Sequence, residues 1–67
     1  MEITYDKDAD ALYIKLRDGE FARNRKLDDN TILDIDKDGN VLGIELLWVS
    51  ERMSAESLTH LCVKQHV

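Results

Sequence analysis

The run Asp34-Ile35-Asp36-Lys37-Asp38-Gly39, followed by Glu45, matches the calcium-loop pattern D-x-D-x-D-G-x5-E residue for residue. In such a loop, alternating carboxylate oxygens surround a hard cation, a glycine makes the sharp turn, and a final glutamate closes the shell. The loop also needs a helix on each side. Upstream, Thr31-Ile32-Leu33 is β-branched and alternating; downstream, Val41-Leu42-Gly43-Ile44 alternates around a glycine. These flanks predict a hairpin with solvated acids on its outer face, so the match is read as a coincidence of residue types.

Four other groups carry reactive residue types. Asp6, Asp8 and Asp10 share one turn, and Asp28 and Asp29 another. A sheet whose alternate turns lie at one end would gather these carboxylates, a setting that suits a hard cation. Aspartates in turns more commonly hydrogen-bond their own backbone, and no metal ligand is assigned. His60, Cys62 and His66 are zinc-type ligands. On a helix, however, His60 and Cys62 point about 200° apart, and Cys62 reads as a small buried apolar residue. Arg23, Arg25 and Lys26 form a modest basic stripe able to contact an anion or phosphate, although in so acidic a chain pairing with neighbouring acids is the plainer reading. Ser50, Ser54 and Ser57 have no glycine elbow, and both histidines lie in the terminal segment. No carboxylate pair is placed to drive two pKa values apart. No catalytic residue and no cofactor is assigned.

The elements that position these residues follow from period-two alternation, the mark of a half-buried strand. Ile3-Thr4-Tyr5 opens a short strand. Over 11–17, Leu12, Ile14 and Leu16 face one side and Tyr13, Lys15 and Arg17 the other. Asp18-Gly19 is a strong hairpin signal. Residues 21–27 make a weaker strand with a solvated centre. Over 31–36, Leu33 and Ile35 oppose Asp34 and Asp36, and Asp38-Gly39 marks a second hairpin. Residues 41–48 place Leu42, Ile44, Leu46 and Trp48 on one face, with Gly43 signalling a bulge or a close backbone approach. Short strands at spacings near ten residues predict an antiparallel sheet of next neighbours.

The end of the chain changes period. Ser54 suits an N-cap and Glu56 a first turn, while Leu58, Leu61 and Cys62 share a helical face. Residues 54–64 are read as a helix, with a sixth strand over 59–63 as the alternative. The expected architecture is α+β: one domain over 1–67, a five-strand antiparallel meander over about 2–48, and one C-terminal helix packed on one face. The opposite face carries Tyr13, Ile32, Val41 and Leu47 among charged neighbours. Clustered, these four would form an exposed apolar patch of the kind that marks a partner.

Size and charge narrow the function classes. A chain of about 60 residues buries only roughly 60% of its unfolded surface, so its core is marginal, and such chains usually need a staple. A single cysteine allows no internal disulfide and fits a reducing compartment. No signal peptide or membrane span is read, and a cytoplasmic location is expected. The net charge of −5, from 14 acidic and 9 basic residues, disfavours nucleic acid and anionic lipid. Oligomerisation, most simply a homodimer, is the expected source of extra stability.

Several of these residues also carry a family resemblance. Ile3-Thr4-Tyr5-Asp6, then Asp8-Ala9-Asp10-Ala11-Leu12-Tyr13-Ile14, and later Asp36-x-Asp38-Gly39, Gly43-Ile44-Glu45 and Ser50-Glu51-Arg52, resemble the domain of unknown function 2283 family of short prokaryotic proteins. The resemblance covers residues 1 to about 53. It implies a small β-rich fold and no defined activity, so no functional residue transfers. Some members resemble the smaller partner of toxin–antitoxin-like gene pairs, which implies a binding protein rather than an enzyme. The function expected is therefore a non-catalytic protein-interaction domain, antitoxin-like or an escort, that masks a basic protein partner. The alternative is a small metal- or anion-binding module using the acidic turns or the Arg23, Arg25 and Lys26 stripe.

Overall fold

Alternating segments pair when each has a side to hide; four do so here, and a fifth, solvated strand joins them at the edge. A computed structural model, which describes residues 1–64 and the side chains of residues 1–60, contains β1 (Glu2–Asp6), β2 (Ala11–Lys15), β3 (Phe21–Asp28), β4 (Thr31–Asp36) and β5 (Val41–Leu47). Two short helices follow, α1 (Val49–Arg52) and α2 (Ala55–Lys64), where the sequence predicted one. Ser54 caps α2 as expected, its Oγ accepting the Ser57 N–H at 3.0 Å.

Every strand pairing is antiparallel, but the order is β1-β2-β5-β4-β3 rather than that of a meander. The physical reason lies in β3. A meander would bury Arg23-Asn24-Arg25-Lys26 in the middle of the sheet. Instead the apolar β5 takes the centre, and every residue of β3 is exposed at the edge, where charged side chains belong.

Asp18-Gly19 consequently makes no hairpin. Residues 16–20 cross the end of the sheet, with the Leu16 and Arg17 N–H groups both donating to the Leu42 carbonyl at 2.8 and 3.3 Å. Gly19 lets this crossing press on Leu42, because a Cβ there would come within 2.5 Å of the Leu42 Cδ2. Beside it, the register between β4 and β5 slips by one residue: Asp34 stands opposite Gly43 but Ile35 opposite Val41. Leu42 is the extra residue of this bulge and is buried.

Residues directly opposite one another share a face. By that rule Ile3, Tyr5, Leu12, Ile14, Leu33, Ile35, Val41, Ile44 and Leu46 form one apolar face. Among the described residues, only Leu12, Ile35, Leu42 and Val49 form a fully buried apolar core. Trp48, expected in that core, is 57% exposed, because its backbone turns left-handed (φ 54°) and leaves the strand. Leu16 is likewise exposed, since β2 ends at Lys15. Of the α2 side chains, Leu58 is half-buried and Ala55, Glu56, Ser57, Thr59 and His60 are exposed. The side chains of Leu61 and Cys62, expected to pack on the sheet, lie outside the described residues.

The turns use aspartate as the sequence suggested. Asp6 Oδ1 accepts the N–H groups of Asp8 and Ala9 at 3.0 and 3.1 Å. Asp28 Oδ1 accepts that of Asn30 at 2.8 Å. Asp36 Oδ1 accepts those of Asp38 and Asn40 at 2.9 and 2.8 Å, while Gly39 supplies the positive φ of this turn. The Asn40 side chain and N–H hold the Asp36 carboxyl below its usual pKa, and the Asn30 N–H does the same for Asp28.

A carboxylate with a depressed pKa in the folded state adds stability above its unfolded pKa, and that stability is lost as pH falls through the folded value. Resistance to urea is therefore expected to hold between pH 7 and 5 and to fall below about pH 4. Urea unfolding across that range checks this, and an unchanged midpoint down to pH 2 would contradict it.

Candidate interaction surface

The conspicuous polar structure on the second sheet face is a line crossing four strands. Tyr13 on β2 reaches over Gly43 of β5 and donates its hydroxyl to Asp34 Oδ2 of β4 at 3.0 Å. Asn24 on β3 donates to the other oxygen, Oδ1, at 2.6 Å. Gly43 makes the crossing feasible, since a Cβ there would collide with the Tyr13 hydroxyl and ring. Burial pushes the Tyr13 pKa up, and the hydrogen bond to the Asp34 carboxylate adds to the shift. The glycine thus serves both roles suggested by the sequence, lying beside a bulge and beneath a close approach.

A second set of polar contacts fastens α1 to the turns at one end of the sheet. The Asp10 carboxylate accepts the Ser50 hydroxyl at 2.6 Å, the Ser50 N–H at 3.1 Å and the Tyr5 hydroxyl at 3.3 Å. The Asp10 carbonyl accepts the Val49 N–H at 3.1 Å. Hydrogen bonds, chiefly from the Ser50 hydroxyl, lower the Asp10 pKa. On the other side, Arg52 donates to the Asn30 carbonyl at 2.8 Å, beside the Leu47 N–H, also at 2.8 Å.

Asp10 and Trp48 are the two described non-glycine residues with positive φ, and they meet at this clasp. For Trp48 that conformation costs about 1 kcal/mol, which the surrounding hydrogen bonds and the fully buried Val49 offset. Neither Ser50 nor Arg52 carried a pairing signal in the sequence, because their partners lie 40 and 22 residues away.

The chemically suggestive residues end up as follows. Asp34, Asp36 and Glu45 lie on or beside the β4–β5 hairpin with no helix flanking them, which removes the structural basis of a calcium loop. The turns bearing Asp6–Asp10 and Asp28–Asp29 do share one end of the sheet. Among the described residues, however, no three His, Cys, Asp or Glu side chains come together to hold a metal. His60 is exposed, while the Cys62 side chain and His66 lie outside the described residues.

Of the predicted interaction face, Tyr13, Ile32 and Leu47 share one side of the sheet and are half-buried. The bulge corrects Val41, which moves to the opposite face beside Ile35. Arg23 and Arg25 stand opposite Ile35 and Leu33, on the apolar side, and Lys26 stands opposite Ile32. Among the described residues the three make no ion pair, contrary to the pairing expected of them; Lys15 and Asp18 do, at 2.7 Å. No helix among the described residues is long and apolar enough to cross a membrane.

A family described as "Protein of unknown function (DUF2283)" matches residues 2–50, a span that holds all five strands and stops within α1. No curated protein and no solved structure matches the chain.

Proposed function

We propose that this chain, which belongs to the DUF2283 family of proteins of unknown function, is a non-catalytic protein-interaction domain that works as a homodimer and escorts or neutralises a second protein, as an antitoxin-like partner does. The observation that carries this reading is the thinness of the core. Domains are built from at least two packed layers around an apolar centre, yet this molecule measures 16 Å along its shortest axis. Its radius of gyration is 12.5 Å, against about 11 Å for a compact domain of this length. Leu33, Ile44 and Leu46 remain only half-buried on the apolar face. A second copy laid on that face supplies the missing layer.

The family-like residues favour interaction over chemistry. Asp6, Asp10, Tyr13, Asp36, Gly43, Ser50 and Arg52 are engaged in turns, the Tyr13–Asp34 line or the α1 clasp. Holding the fold is thus a sufficient role for each of these residues, and none of them needs a reaction to account for it.

Sedimentation equilibrium over a wide concentration range tests the assembly. A dimer that persists on dilution supports the homodimer, and a strict monomer at the highest concentration overturns that part of the reading.

A further inference from the structure

The β3 edge departs from the charge of the rest of the chain. Against a net charge of −5, this strand presents Arg23, Arg25 and Lys26. Among the described residues it pairs only with β4, so the backbone groups of its other side are available to another strand. Register shifts at its two ends set off the run 23–26, whose residues pair regularly with Ile35, Asp34, Leu33 and Ile32.

Edge charges and bulges are devices that keep strands from pairing with copies of themselves. Here they do so with one sign of charge. Two β3 edges brought together about a two-fold axis would set this basic run against its own copy, and like charges directly opposite destabilise a pair. The same pattern that rejects a copy favours a strand of the opposite sign.

We propose that the β3 edge is a docking site for an extended acidic segment of a partner protein, added as a sixth strand. Carboxylates at alternate positions of that segment would meet Arg23 and Arg25 on the apolar side, and those between them would meet Lys26. Strand addition draws affinity from main-chain hydrogen bonds and specificity from alternate side chains. That favours a peptide over nucleic acid, since a phosphate chain offers no matching ladder and three cations in an acidic protein neutralise few phosphates. The inference rests on the reading of the chain as a protein-interaction domain, but not on the homodimer.

The test uses the full chain and three fluorescein-labelled probes: a short peptide of alternating valine and glutamate, the same peptide with lysine for glutamate, and a single-stranded oligonucleotide. Fluorescence anisotropy is expected to detect saturable binding of the glutamate peptide. The Arg23→Glu/Arg25→Glu variant, with folding checked by circular dichroism, is expected to weaken that binding by about tenfold and to gain binding of the lysine peptide. Equal affinity of both proteins for the glutamate peptide, no saturable binding of it to the wild type, or tighter binding of the oligonucleotide would each overturn the proposal. Sedimentation of the wild-type chain separates the two readings. A dimer that persists while the peptide fails sinks the edge site alone, and a monomer that binds the peptide sinks only the dimer.

Discussion

Replacing Leu12 with alanine is expected to destabilise the protein by about 3 kcal/mol, the cost of deleting a well-packed leucine and leaving a partly unfilled space. Leu12 is 4% exposed and sits on β2 between Tyr5 of β1 and Leu46 of β5, so its side chain ties three strands together. A chain of this length has a total stability of roughly 3–10 kcal/mol. The loss is therefore a large part of what holds the fold, and the variant should be substantially unfolded on mild warming. Leu27→Ala provides the contrast. Leu27 is the extra residue of a bulge on β3 and 58% exposed, and its removal should stay within about 0.5 kcal/mol. Urea midpoints measured at one protein concentration decide the matter, because self-association shifts apparent stability by mass action. Similar losses at the two positions would refute the placement of the core.

The second large effect comes from adding atoms. Gly43→Ala is expected to cost about 2 kcal/mol, in the range of overpacking a filled site. The backbone at Gly43 is not in the left-handed region, so the alanine is not strained in itself. The cost arises because its methyl group occupies the path of Tyr13, whose hydroxyl must then leave Asp34. In a Tyr13→Ala background most of that cost should vanish, the residue being the approach to the Ile14 carbonyl at 3.0 Å. A double-mutant cycle measures this coupling directly. Additive losses would mean that the glycine serves something other than the passage of the tyrosine.

The strands themselves were legible. Leu12, Ile14, Ile44 and Leu46 alternate, and the aspartate turns fall between strands where the residue types place them. The order of the strands was not, because alternation tells each strand which side to hide but not which neighbour to choose. The clue was present in Arg23-Asn24-Arg25-Lys26, whose solvated centre suits an edge, and it was outweighed by the local hairpin signal of Asp18-Gly19. That dipeptide serves a crossing instead, for which the requirement is room against Leu42. The bulge that displaces Val41 was foreshadowed by Gly43 without its direction. The clasp of Asp10 to Ser50 was hidden because a long-range hydrogen bond leaves no periodic trace in a sequence.

The position of β5 governs how the chain can come together as it is made. The first four strands form two hairpin-like halves, β1 with β2 and β3 with β4, which share no strand pairing in the finished sheet. Among the described strands only the fifth pairs with both, so a nascent chain stopped before Val41 holds two hairpin-like fragments with no common sheet. The fifth strand can close its hairpin with β4 locally, but its pairing with β2 joins residues 11–15 to residues 43–47, and a contact so distant along the chain is expected to make the joining of the halves the slower step.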